Sequence, residues 1–151
     1  MKVSTKGRYG LKAMIDLAAH SNGGSCVPLK SIAEREGISE AYLEQLMAIL
    51  KKNGFIKSIR GAQGGYILEK KAEEISVGDI LNVLEGPLNV VECVSDKGSV
   101  SCGSGTCKKC VTKNVWEKIS DSLSEVVNSI SLQNLVDQYI DAEKSQNGDV
   151  F

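Results

Sequence analysis

Apolar positions recur at helical spacing through the first fifty residues. Between residues 5 and 21, Leu11, Met14, Ile15 and Ala18 lie three and four apart, which predicts a helix with those four side chains as its buried stripe. Asn22-Gly23-Gly24 ends it. A short second helix is predicted from Leu29 to Glu36, with Ile32 and Ala33 turned inward. Gly37 then suits a tight left-handed join, with Ile38 as the buried turn residue. Ser39 is a good N-cap and Glu40 favours a first turn. In the third helix, residues 40–52, Leu43, Leu46, Met47 and Leu50 repeat at i, i+3, i+4, i+7. Asn53-Gly54 stops it, and the pattern changes to two strands, residues 55–60 and 66–70, around the hairpin Gly61-Ala62-Gln63-Gly64-Gly65.

A short helix is predicted from Ser76 to Leu84, with Ser76 and Asp79 spaced as a capping box and Glu85-Gly86-Pro87 as its stop. Residues 88–110 have no helical periodicity. From about Val111 a long helix begins, in which Trp116, Ile119, Leu123, Val126 and Ile130 alternate three and four apart, a heptad-type seam. Ser131 caps a last helix through Leu132, Leu135, Val136 and Tyr139, with fraying expected after Glu143. The predicted fold class is mainly α with a small β wing: a winged helix-turn-helix followed by a long helix. The expected division is a winged domain over residues 1–86, a cysteine-rich connector over 87–110, and the long and C-terminal helices over 111–145.

With 42% hydrophobic residues and 2 prolines, the chain can bury a core, and no low-complexity tract argues for disorder. No apolar run approaches the roughly 20 residues that span a bilayer, and the N-terminus lacks a signal-peptide stretch, so a cytoplasmic protein without a membrane partner is expected. The formal net charge of −1 argues against nucleic acid until its distribution is considered. Residues 1–75 carry 12 Lys+Arg and 8 Asp+Glu, a net of +4, whereas residues 76–151 carry 6 and 11, a net of −5. Residues 1–12, with Lys6 and Arg8, and residues 51–60, with Arg60, contain bases and no acid. Phosphate binding needs such a local basic surface rather than a basic protein; ordinary solvated faces are the alternative.

In a winged helix-turn-helix the N-terminal end of the second helix enters the major groove of double-stranded DNA. Here that end presents Ser39, Glu40, Ala41, Tyr42, Glu44 and Gln45. Gln45 can bond an adenine edge and Glu44 can accept from cytosine N4. At the wing, Gly61 and Gly64 allow close approach to the DNA backbone, with Arg60 and Gln63 beside them. A phosphate-binding loop is excluded, because no GxxxxGK[ST] pattern is present and a strand follows the glycines. No nucleophile–base pair stands out and His20 is the single histidine, which speaks against an enzyme. The seam at Trp116, Ile119, Leu123, Val126 and Ile130 packs either on its own domain or on a second copy; one half-site binds weakly, and a homodimer would match a two-fold operator.

Four of the five cysteines fall within 18 residues, as Cys93-x8-Cys102-x4-Cys107-x2-Cys110. In a reducing compartment structural disulfides are not expected. Lys108 and Lys109 would offset thiolate charge. Three chemistries fit the spacing: an iron–sulfur cluster, a four-thiolate zinc site, although only Cys107-x2-Cys110 is a CxxC pair, and a thiol redox switch. Cys26, alone in an early loop, reads as a small half-buried residue.

The segments MKVSTKGRYGLKAMIDLA, ISEAYLEQL, IRGAQGGY and ISLQNLV resemble the Rrf family of bacterial winged-helix regulators over nearly the whole chain. The resemblance implies a homodimer joined by the long helix, with the reader helix in the major groove and the wing in the minor groove. The cysteines are similar to those of the family's iron–sulfur-sensing branch, which regulates cluster-assembly genes. That branch implies a 2Fe–2S cluster held by three cysteines and a histidine three residues after the last. Cys93, Cys102 and Cys110 match those positions, but Lys113 stands where the histidine would be, and Cys107, with no counterpart, becomes the expected fourth ligand. All-cysteine ligation leaves a 4Fe–4S cluster or zinc open. The nitric-oxide-sensing branch has an acidic residue near the N-terminus where this chain has Arg8. The alternative is the cysteine-metabolism branch, which shares sequence like VLEGPLNVVE and implies a repressor controlled by a cysteine-biosynthesis enzyme or by thiol oxidation, without a cluster.

Overall fold

Local chemistry sets most element boundaries. The computed structural model describes residues 2–21, 24–91 and 110–148. The elements run α1 (Thr5–His20), α2 (Leu29–Glu36), α3 (Glu40–Lys52), β1 (Ile56–Ile59), β2 (Gly65–Leu68), α4 (Val77–Glu85), α5 (Lys113–Ser129) and α6 (Leu132–Gly148), with a turn of 3-10 helix at Ala72–Glu74 before α4. Gly37 joins α2 to α3 at φ 65, a left-handed conformation that costs an L side chain about 1–2 kcal/mol. Ser39 caps α3 by accepting from Tyr42 N–H at 3.2 Å. At α4, Ser76 and Asp79 form a reciprocal capping box.

β1 and β2 pair antiparallel from Ile56↔Leu68 to Ile59↔Gly65. The strands are shorter than the expected 55–60 and 66–70, because Gly64 N–H bonds Gly61 C=O at 3.0 Å and closes the hairpin tightly. Val27 and Tyr66 exchange two backbone bonds of 2.8 Å, so the wing is stitched to the segment before α2. The tail also differs from expectation: α6 continues past Glu143 to Gly148.

The core gathers Ala13, Met14 and Leu17 of α1, Ile32 and Ala33 of α2, Leu43, Leu46, Met47 and Leu50 of α3, Ile56, Ile75, Ile80 and Leu84, and Leu132 and Val136 of α6. Two backbone bonds, Val77 N–H to Ile130 C=O at 2.8 Å and Leu132 N–H to Ile75 C=O at 2.7 Å, fasten the α5–α6 corner to the start of α4.

α1 lies at the centre, packed against α2, α3, α4, α6 and β2. Its buried face is rotated from the expected stripe. Met14 is fully buried, but Leu11, Ile15 and Ala18 are half-buried, and the deepest positions are Gly7, Gly10, Ala13, Asp16 and Leu17. Surrounded on several sides, α1 does not need one apolar stripe. Gly7 and Gly10 are buried because α4 comes so close: a Cβ on Gly7 would lie 2.5 Å from Glu85 Oε1, and one on Gly10 would collide with Leu84. Asp16, at 0% exposure, is buried because Arg35 reaches it from α2 with two bonds, Nε to Oδ2 at 2.8 Å and Nη2 to Oδ1 at 2.7 Å. His20 closes this network through Nδ1, 2.8 Å from Asp16 C=O, and stacks edge-on to Tyr139 of α6.

Candidate nucleic-acid interface

Capping by Ser39 starts α3 with its apolar face inward, so its polar face is free at the N-terminal end. Ser39, Glu40, Ala41, Glu44 and Gln45 are exposed, whereas Tyr42 is half-buried. Tyr42 turns toward α1: its ring meets Tyr9 edge-on at 6.3 Å and its hydroxyl donates to Thr5 Oγ1 at 3.3 Å. The first turns of α1 therefore abut the first turn of α3. Lys6 and Arg8 are exposed there, and Arg8 and Lys12 flank the Tyr9 ring at 6.0 and 5.5 Å. Among the described residues, none of Lys6, Arg8, Lys12, Lys57 and Arg60 is in an ion pair. Their charge is available to an outside anion.

The wing exposes Arg60, Gly61 and Gln63, with Gly64 half-buried. Gln63 is not wholly free: its C=O accepts from the Cys26 thiol at 2.8 Å. Cys26 thus has a role that composition did not suggest, as a donor bracing the wing from the α2 side. Wing and reader helix are electrostatically in touch as well. The Tyr66 hydroxyl is pushed above its ordinary value of 10.0, first by burial and then by Glu44. The expected DNA residues thus fall into one group on α1 and α3 and a second on the wing.

Of the four connector cysteines, only Cys110 lies among the described residues. Cys93, Cys102 and Cys107 lie outside the described residues. Cys110 is exposed just before α5, its Sγ 3.1 Å from Thr112 Oγ1. Lys113, at the position where the resemblance implies a histidine, points to Glu117 at 3.8 Å. Among the described residues no group of three or more His, Cys, Asp or Glu is placed to hold a metal ion. The chemistry of the donor set, four thiols in 18 residues, fits a thiolate-ligated cluster or zinc.

On α5 the seam splits between two environments. Ser120 is buried and accepts from Val90 N–H at 3.2 Å on the side facing its own chain. Val115, Ile119 and Val126 are 50%, 40% and 57% exposed, with Trp116, Leu123 and Ile130 half-buried. Sequence reasoning did not single out Glu85. Its carboxylate accepts from the backbone N–H of Ser4 at 2.9 Å and of Gly7 at 2.8 Å, and from the Ser4 hydroxyl. The Ser4 hydroxyl bond first, and then the backbone bonds from Gly7 and Ser4, hold its carboxyl below the ordinary value of 4.5. The glycine pair Gly7-x-x-Gly10 was the available signal, since a helix with buried glycines invites a close neighbour.

A capped reader helix, a β wing and unpaired bases on adjoining helix starts define a winged helix-turn-helix transcriptional regulator, mainly α with a small β wing. No helix among the described residues is long and apolar enough to cross a membrane. Comparison with known proteins narrows the class. Residues 3–138 match the family described as "Rrf2: Iron-dependent Transcriptional regulator", and the chain belongs to that family, one of regulators rather than enzymes. It is 40% identical over 152 residues to the HTH-type transcriptional regulator IscR of Pectobacterium carotovorum, covering 99% of this chain and 89% of that protein. Among solved structures it is similar to IscR of T. potens, with 49% identity, 97% and 91% coverage and a TM-score of 0.71. It is also similar to CymR, the global cysteine regulator of B. subtilis, with 42% identity, 91% and 98% coverage and a TM-score of 0.74.

Proposed function

We propose that the protein is a homodimeric repressor that reads iron–sulfur cluster status and controls cluster-assembly genes. The observation that carries this reading is the placement of the thiols. Four cysteines fall between α4, which packs on the DNA-facing α1, and α5, which carries the exposed apolar seam. Cys93, Cys102, Cys107 and Cys110 would hold the group; a 2Fe–2S cluster is the first assignment, with 4Fe–4S and zinc as the other outcomes of metal analysis. When bound, such a cluster supplies a redox-sensitive and oxygen-sensitive centre whose gain or loss changes the charge and stiffness of the connector. IscR-named relatives that match nearly the whole of this chain support this assignment.

The chain's own residues do the rest. Glu44 and Gln45 read base edges, Arg60 enters the minor groove beside Gly61 and Gly64, and Lys6 and Arg8 neutralise phosphates. Val115, Ile119 and Val126 meet their counterparts in a second copy, setting two reader helices one turn of DNA apart. An operator-binding protein of this kind works in the cytoplasm.

Oxygen-free purification with visible absorption, iron and sulfide analysis tests the assignment. Coloured protein that loses its absorption in Cys102→Ala, and that changes operator preference when stripped, supports it. Colourless, metal-free protein supports a second reading, a cysteine-metabolism repressor governed by a partner enzyme or by thiol oxidation. Two observations favour that second reading: Lys113 in place of an imidazole, and the likeness to CymR.

A further inference from the structure

α1 carries the basic face next to the reader helix, yet it lacks a cap of its own. Ser4 at its N-cap makes no side-chain bond to the α1 backbone, and no acidic residue lies in the first turn. The orphan N–H groups of Ser4 and Gly7 are met instead by Glu85 Oε1, at 2.9 and 2.8 Å, from the last residue of α4. Gly7 permits this: any side chain there would lie against the carboxylate. The turn so held contains Thr5, which accepts from Tyr42 of α3, and the exposed Lys6. A continuous path therefore runs from Glu85 through one helical turn to the N-terminal end of the reader helix. Among the described residues, Lys2, Val3, Glu85, Pro87, Leu88 and Asn89 line a cleft of about 210 Å³ beside this turn.

We propose that Glu85 is a positioning residue for operator binding. It supplies the N-cap that α1 lacks, and so holds Lys6 and the Thr5–Tyr42 contact in register with α3. The inference rests on the operator-binding reading of α1, α3 and the wing, and is independent of what the cysteines hold. It makes a prediction whose sign opposes simple electrostatics. A carboxylate within a Debye length of bound DNA repels phosphate, so removing its charge should by Coulomb's law alone tighten binding. A positioning role requires the reverse.

The test uses the full chain and a labelled duplex selected by the wild type from a random-sequence pool, with affinity measured across a salt series. Glu85→Ala is expected to bind about tenfold more weakly, the size of effect that losing a helix cap has on a local equilibrium. Its log–log salt slope should flatten by about 1, since the Lys6 phosphate contact is no longer held. Lys6→Ala should weaken the wild type but change Glu85→Ala less than about twofold, as coupled sites do. Glu85→Gln retains an amide oxygen as acceptor and should stay within about threefold of the wild type. If Glu85→Ala does not fold, Glu85→Asp, whose oxygen falls short of the same N–H groups, carries the prediction at about threefold. Glu85→Ala that binds equally or more tightly overturns the proposal. So does a variant with lowered melting temperature and an unchanged salt slope, or an equal Lys6→Ala effect in both backgrounds. A wild type that selects no duplex overturns the operator reading, and this inference with it.

Discussion

Arg35→Ala is the substitution whose cost the structure defines best. Asp16 is fully buried in α1, while Arg35 of α2 is 34% exposed and donates to both carboxylate oxygens at 2.7 and 2.8 Å. Among the described residues the other basic group beside this carboxylate is the His20 ring, with Nδ1 3.6 Å from Asp16 Oδ1. Truncating Arg35 leaves a buried carboxylate without its partner, which typically costs 3–5 kcal/mol. Because Arg35 is one-third exposed, water can enter where the guanidinium lay, and the lower end, about 3 kcal/mol, applies. For a chain of 151 residues, at roughly 2–4 °C per kcal/mol, that lowers Tm by about 6–12 °C. Arg35→Lys keeps the charge but not the fork, and should lose about 1–2 kcal/mol. Asp16→Leu with Arg35→Met removes both charges and should recover most of the loss. Urea and thermal unfolding followed by circular dichroism measure all of these. A coupling energy near zero in the Asp16/Arg35 double-mutant cycle, or an Arg35→Ala loss below about 1 kcal/mol, would refute the argument.

Other expectations follow from the same geometry. Glu44→Ala should broaden the set of bound operators, because a carboxylate disfavours sites that lack a cytosine donor; unchanged preference in a binding array counts against it. Arg60→Ala should weaken binding mainly at sites with A·T-rich, narrow minor grooves, and a uniform loss across sequences would point to a simple phosphate contact instead. Val126→Asp places a charge on the exposed α5 seam and should shift sedimentation toward monomer, with operator affinity falling in step; an undisturbed dimer would move the interface elsewhere. The Glu36 carboxyl is held above its ordinary value of 4.5 by burial first, and then by Asp16. A raised folded-state value means the stability is present below that range and lost as pH rises through it. Glu36→Gln should therefore raise Tm near pH 7, with the gain vanishing toward pH 4; a constant difference would exclude this linkage.

Much of the fold could be read from local signals. The α3 stripe, Gly37, the Ser39 and Ser76 caps and the glycine hairpin each rest on chemistry that acts within a few residues, so each appears where the pattern placed it. The long α5 helix belongs with them, although its expected seam is divided, with Ile119 and Val126 exposed and Trp116, Leu123 and Ile130 half-buried. The exposure of Arg60, Glu44 and Gln45 was legible for the same reason: an amphipathic helix or hairpin that buries one face must show the other.

The chain alone did not reveal which face of α1 is deepest, why Asp16 can be buried, or what caps α1. Those depend on partners far away in sequence: Arg35 is 19 residues from Asp16, and Glu85 is 78 from Gly7. A helix touched on one side declares its buried face by apolar spacing, whereas one enclosed by neighbours buries glycine where a helix crosses closely and carboxylate where a guanidinium arrives. Short-range propensity and periodicity were written in the order of residues. Which polar groups would find each other was settled only when the helices packed, because a buried charge or an uncapped N–H is tolerable solely where the tertiary fold delivers its partner.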